Sequence, residues 1–144
     1  MSEPDVIGAL VALLKADAGV AAEVGARVFG DELPRDQVGD MPRKGAIVRL
    51  SGGVSPIGGY VEATAERIDA ISWGATPYEA TTVSLAVRGA LKRLRRQVVD
   101  VDGTGVLLHS AEEAGGRLSI RDQETNWPAV TQAFQVLYAL QAAA

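Results

Sequence analysis

The sequence predicts an α/β protein of the α+β kind, a mostly antiparallel sheet packed against an N-terminal helix and one long central helix. Three observations carry that prediction. Residues 66–96 (ERIDAISWGATPYEATTVSLAVRGALKRLRR) read as a strand, a tight turn and a helix. Asp102-Gly103 stands between the β-branched runs 98–101 and 106–109, a hairpin signal. Near the start, Val6, Ile7, Leu10, Val11, Leu13 and Leu14 recur at helical spacing as one broad apolar face.

The central segment is the most legible. Ile68, Ala70, Ile71 and Trp73 put apolar groups on both faces of a pleat, as in a strand covered on both sides. Gly74-Ala75 breaks the run. Thr76, Pro77 and Glu79 then supply an N-cap, a proline at the first helical position and an acid three residues after the cap. Val83, Ala86, Val87, Ala90, Leu91 and Leu94 form the buried stripe of a helix expected to run to Arg96.

Taken in order, Ser2 or Asp5 can cap the first helix, which runs to about Ala16. Residues 17–19 interrupt it, 20–24 give one more helical turn before Gly25, and 27–29 are briefly extended. Residues 30–44 hold Pro34, Pro42 and Gly39 with Asp31, Glu32, Asp36 and Asp40 among few apolar groups, and read as a long surface loop. A short strand at 46–50 should pair antiparallel with the strand ending at Trp73, across a glycine-rich tip at 51–59 that contains Gly52, Gly53, Gly58 and Gly59. Both loops are expected to be mobile in the free chain and to order on contact with another subunit. Residues 117–121 alternate as a strand. Residues 130–141 fit both a helical and a strand period. Thr131, Phe134, Val136 and Tyr138, with Pro128 upstream, favour the strand.

At 144 residues the chain makes one domain, 1–144, large enough for a real core. Hydrophobic residues make up 47% but aromatic ones only 5%, so Phe29, Trp73, Trp127 and Phe134 are scarce anchors in a core of Val, Leu, Ile and Ala. A net charge of -4 argues against coating nucleic acid through overall charge, though not against a local basic patch. With no cysteine, disulfides and thiolate metal sites are excluded. The uncharged run 6–14 is shorter than the roughly 20 residues a membrane helix needs and has no basic leader, so a soluble chain without a signal segment is expected.

Motifs for chemistry fail one by one, so neither an enzyme nor a cofactor is expected. Gly53 and Gly58 have the outer spacing of a phosphate loop, but Gly59-Tyr60 stands where Lys-Ser or Lys-Thr is required. Asp100 and Asp102 open like a calcium loop whose twelfth residue is Ala111, without the bidentate carboxylate. His109 is the single histidine and has no cysteine to share a zinc. Glu112 and Glu113 are adjacent, which in a strand sends them to opposite faces. The charge feature that stands out is Lys92, Arg93, Arg95 and Arg96. Cations at a helix C-terminus commonly just complement its dipole, but four within five residues also suit an intersubunit or nucleic-acid contact.

As a whole the pattern resembles the tail terminator proteins, also called minor tail or tail-completion proteins, of long-tailed bacteriophages and phage-like gene transfer particles. The likeness rests on Leu10, Leu13-Leu14 and Ala16-Asp17, then on Val20 and residues 24–29 (VGARVF), and on Pro34 and Pro42 in the loop. It continues through 67–74 (RIDAISWG), 78–80 and 86–91 (AVRGAL), and closes with 122–125 and 134–138 (FQVLY). The resemblance implies a structural virion protein, not an enzyme. It would form a homo-oligomeric ring, typically a hexamer, on the head-proximal end of the tail tube. There it would stop tube growth and meet the neck. Its partners would be itself, the tail tube protein and a neck or head-completion protein, with DNA passing through the lumen without sequence-specific binding and no membrane involved. Assembly would take place in the host cytoplasm. An alternative is a neck or head-completion adaptor of the same particle. On the ring reading, Lys92, Arg93, Arg95 and Arg96 are candidate contacts. Their opposites would be Asp31, Glu32, Asp36 and Asp40, or Glu112 and Glu113. Gly52, Gly53, Gly58 and Gly59 would lie at a tube or ring contact.

Overall fold

The computed structural model describes residues 5–52, 64–121 and 125–140. Asp5 caps α1 (Val6–Ala16) by accepting the Gly8 N–H at 2.9 Å. Asp17 then both closes α1 and caps α2 (Ala18–Val24), its carboxylate accepting the Val20 N–H at 3.1 Å. The interruption foreseen at residues 17–19 is therefore a single capping residue, and α2 is longer than one turn.

Among the described residues seven strands form one sheet: β1 (Val28–Gly30), β2 (Gly45–Leu50), β3 (Thr64–Trp73), β4 (Gln97–Val101), β5 (Thr104–Glu113), β6 (Leu118–Arg121) and β7 (Pro128–Leu140). The order is β1-β2-β3-β7-β5-β4, with β6 also on β7. Every pairing is antiparallel except β1 with β2. The β2–β3 pairing is the one expected; the tip between them, with Gly53, Gly58 and Gly59, lies outside the described residues. Asp102 and Gly103, with φ of 51° and 85°, make the two-residue β4–β5 turn, a conformation that glycine adopts without steric cost.

The 13-residue β7 is the spine of the sheet. Its last segment is a strand, as propensity indicated. It pairs with β3 from Ala129↔Trp73 to Tyr138↔Thr64, and on its other edge carries β6 and then β5 in series. Phe134, Val136 and Tyr138 point to the helical side and join Ile68, Val83 and Val87 in the main core. The sheet curls until both end strands, β1 and β4, touch α1. That curl closes the core around Leu10 and Leu14, both fully buried.

The turn into α4 (Pro77–Lys92) matches its sequence signals. Thr76 Oγ1 accepts the Glu79 N–H at 3.2 Å, and Glu79 Oε1 accepts the Ala75 N–H at 3.1 Å. The helix stops at Lys92 instead of reaching Arg96. β4 begins at Gln97, so residues 93–96 are needed to turn the chain back to the sheet while Leu94 stays buried. Arg95 and Arg96 therefore sit on a connector and not on the helix.

The loop at 30–44 is more structured than its composition suggests. It contains α3 (Arg35–Val38), and Leu33 and Met41 pack against Ile47, Ile71, Trp73 and Ala129 on the face of the sheet away from the helices. Two apolar residues thus hold down a segment whose polarity pointed to a detached loop. Trp127 meets Trp73 there edge to face, ring centroids 6.5 Å apart. β3 is covered on both faces as read, but the second face is covered only towards its Trp73 end.

Candidate subunit-contact surfaces

The basic residues around the end of α4 divide into two kinds. Arg93 Nη2 donates to Asp17 Oδ2 at 2.8 Å, fastening α4 to the α1–α2 junction. Lys92 lies 3.9 Å from Glu113, whose carboxylate also takes the Arg88 guanidinium. Arg95 and Arg96 are exposed on the connector, Arg95 donating to the neighbouring Leu94 carbonyl at 3.3 Å.

Two carboxylates are tuned by these contacts. Burial pulls the Asp17 carboxyl upward, but Arg93 and the Val20 and Gly19 N–H groups outweigh it, and the group sits below its ordinary value. Glu113 is likewise lowered, first by the Arg88 hydrogen bond against an opposing desolvation, then by Gln132 and the charges of Arg88 and Lys92. Both shifts are depressions. The stability they contribute is present above the ordinary carboxylate range and disappears as pH falls through the lowered values. Arg93→Ala should therefore destabilise the chain by roughly 0.5–1 kcal/mol at neutral pH, the scale of a partly exposed pair. The deficit should vanish in strong acid. Denaturant midpoints of both proteins across that pH range check this, and a deficit independent of pH would assign Arg93 a packing role instead.

The acidic candidates lie elsewhere. Asp31, Glu32, Asp36 and Asp40 are all exposed on the segment joining β1 to β2. Asp40 has Arg43 at 3.9 Å, and Arg43 also donates to Gln37. Lys44 at the end of the loop binds Glu23 at 2.8 Å, the hydrogen bond that chiefly raises its pKa. Val38 is 43% exposed between Asp36 and Asp40. Of the glycine candidates, Gly52 has φ of 76° and no described residue within 4 Å of where its Cβ would stand, while Gly53, Gly58 and Gly59 lie outside the described residues. Glu112 and Glu113 point to opposite faces of β5, as their adjacency requires: Glu113 is paired with core-facing Phe134, and Glu112 with Gln135. His109 stands at the register shift in β5, half-buried. No group of three or more His, Cys, Asp or Glu among the described residues could hold a metal ion, and no described helix is long and apolar enough to cross a membrane.

The surface that sequence reading missed is the open face of the sheet. Two adjoining hollows of about 390 and 310 Å³ share Arg49, Ile71 and Ile120. Trp73 and Arg121 line the first, Arg67, Asp69 and Leu118 the second. Leu118 and Ile120 are 59% and 38% exposed, apolar groups standing in solvent on β6. Their alternation was legible as a strand. Their exposure goes with β6 lying along β7, with no strand on its other side among the described residues.

No protein-family model and no curated protein matches the chain. Among solved structures, a chain from the virion of a native gene transfer agent particle is similar, with a TM-score of 0.58 and 18% identity over 92% of this chain and 93% of that one. The gp17 protein of bacteriophage SPP1 aligns with a TM-score of 0.44 and 17% identity over 94% of this chain and 88% of that one. The first likeness establishes a shared fold, helices packed on one curled, mostly antiparallel sheet.

Proposed function

We propose that this chain is a structural protein of a phage-like virion, one that caps the head-proximal end of the tail tube as a homo-oligomeric ring. The carrying observation is the fold shared along nearly its whole length with a chain of a gene transfer agent virion. In this role the chain stops tube growth and presents a face to the neck, while DNA passes through the lumen. It works through its surfaces and not through bond chemistry, which suits a subunit that leaves apolar and charged groups exposed on an open sheet face. The exposed acids Asp31, Glu32 and Asp36 and the exposed cations Arg95 and Arg96 are available to neighbours, while Asp40 has Arg43 at 3.9 Å. Lys92 and Arg93 already have partners within the chain.

The test mixes purified protein with tail tubes that lack their terminal ring and, separately, with DNA-filled heads. Negative-stain images should show rings at one end of the tubes and tubes of fixed length. Binding to heads alone would replace this reading with a head-completion adaptor, and binding to neither would remove it.

A further inference from the structure

We infer that the open face of the sheet around Leu118 and Ile120 is a docking site for the acidic β1–β2 segment of a second copy of this chain. The inference rests on the ring reading above and names the surface that builds the ring. The two hollows have an apolar floor and rim charges Arg49, Arg67 and Arg121 against the single acid Asp69, an excess of positive charge. Glu112 shares this face on β5 but lines neither hollow. Arg121 keeps one contact at home, donating to the Asn126 carbonyl at 3.0 Å, and retains its charge.

The complementary surface belongs to the β1–β2 segment. Exposed Val38 ends α3, with Arg35 one turn before it, in a segment that also carries the exposed acids Asp31, Glu32, Asp36 and Asp40. Arg35 and Arg43 are the cations in that segment before Lys44, and Arg43 is occupied by Gln37 and Asp40. An exposed apolar residue in a net acidic segment matches an apolar floor inside a basic rim. Apolar contact at the centre supplies affinity, and the charged rim sets register and encounter rate.

Topology places the two surfaces so that they can repeat. The acidic segment leaves the sheet at β1, an end strand, and packs back through Leu33 and Met41 on the Trp73 end of this face, with Val38 and its acids exposed. Leu118 and Ile120, by contrast, lie on β6, beyond β2, β3 and β7. One copy therefore offers its β1 side to the β6 side of the next. Such a contact joins two different patches and propagates in one direction, closing into a ring when the rotation per subunit allows. It also gives the acidic loop a partner other than the basic end of α4, where Arg93 and Lys92 are already engaged.

The experiment is a charge exchange read by sedimentation velocity on the full chain. Arg49→Glu with Arg67→Glu should weaken self-association at least tenfold, as should Asp36→Lys with Asp40→Lys. Mixing these two proteins should restore mixed assemblies, because the opposed patches become complementary again. Leu118→Ser with Ile120→Ser, at exposed positions, should abolish assembly while far-ultraviolet circular dichroism and the melting curve stay close to wild type. A wild-type chain that stays monomeric at its solubility limit, variants that assemble normally, or a mixture that fails to recover would each overturn the proposal. So would binding of duplex DNA that is lost in the arginine variant while self-association persists, which would assign the face to nucleic acid. Rings that form through another face and still cap tubes would overturn this inference alone. Assembly through this face without tube capping would overturn the functional reading and leave the contact standing.

Discussion

Phe134→Ala is expected to cost about 3–5 kcal/mol, the range for truncating a buried phenylalanine. Phe134 is the largest fully buried side chain, 1% exposed. It stands near the middle of β7, opposite Ile68 on β3 and Glu113 on β5, so the strands on both sides of it are fixed by ladders. The surrounding backbone cannot collapse into the space, and a cavity remains beneath α4. Domains of this size are stable by roughly 5–15 kcal/mol, so the loss is about a fifth of the total or more. Chemical denaturation reads it directly. A shift below about 1 kcal/mol would mean that the site relaxes and that the packing described here is looser than the burial implies.

Gly74→Ala should be nearly as damaging, for a reason that involves no lost contact. A Cβ at residue 74 would stand 2.4 Å from Glu79 Cβ and 2.6 Å from the Ala80 amide nitrogen. Those atoms belong to the first turn of α4 and cannot move without disturbing the cap made by Thr76 and Glu79. Overpacking of this kind costs roughly 1–3 kcal/mol, and the backbone position of the clash puts it at the upper end. Gly39→Ala is the control. Its Cβ meets nothing within 4 Å and its backbone is helical, φ -63° and ψ -23°, so a small gain of roughly 0.4–1 kcal/mol is expected from a less flexible unfolded chain. Equal denaturant midpoints for the Gly74 variant and wild type would show that the β3–α4 turn has room to spare.

Local signals decided most of the element boundaries. Thr76, Pro77 and Glu79 fixed where α4 begins, because capping is a matter of residues three positions apart. Asp102-Gly103 fixed the β4–β5 hairpin, because two successive positive φ angles select few residues. The apolar stripe of α1 gave its buried face, and the apolar groups on both sides of β3 marked it as covered on both faces. The end of α4 was a different matter. Nothing local distinguishes Lys92 from Arg96 as a stopping point, and the position was set by how much chain is needed to return to the sheet.

What the sequence by itself determined is an α+β chain and, apart from α3, the order and type of its elements. What only the tertiary structure decided is which charges are already spoken for and which surface is left open. Arg93 and Asp17 are 76 residues apart and meet at 2.8 Å because α4 packs on α2. Leu33 and Met41 lie in an acidic loop and are held against Ile47 and Ile71. Leu118 and Ile120 read as an ordinary half-buried strand and stand exposed, since β6 pairs along the first part of β7 and no described element lies over it. Periodicity reports that a strand has an apolar face. Whether that face is covered depends on residues distant in the chain, and that is a property of the fold.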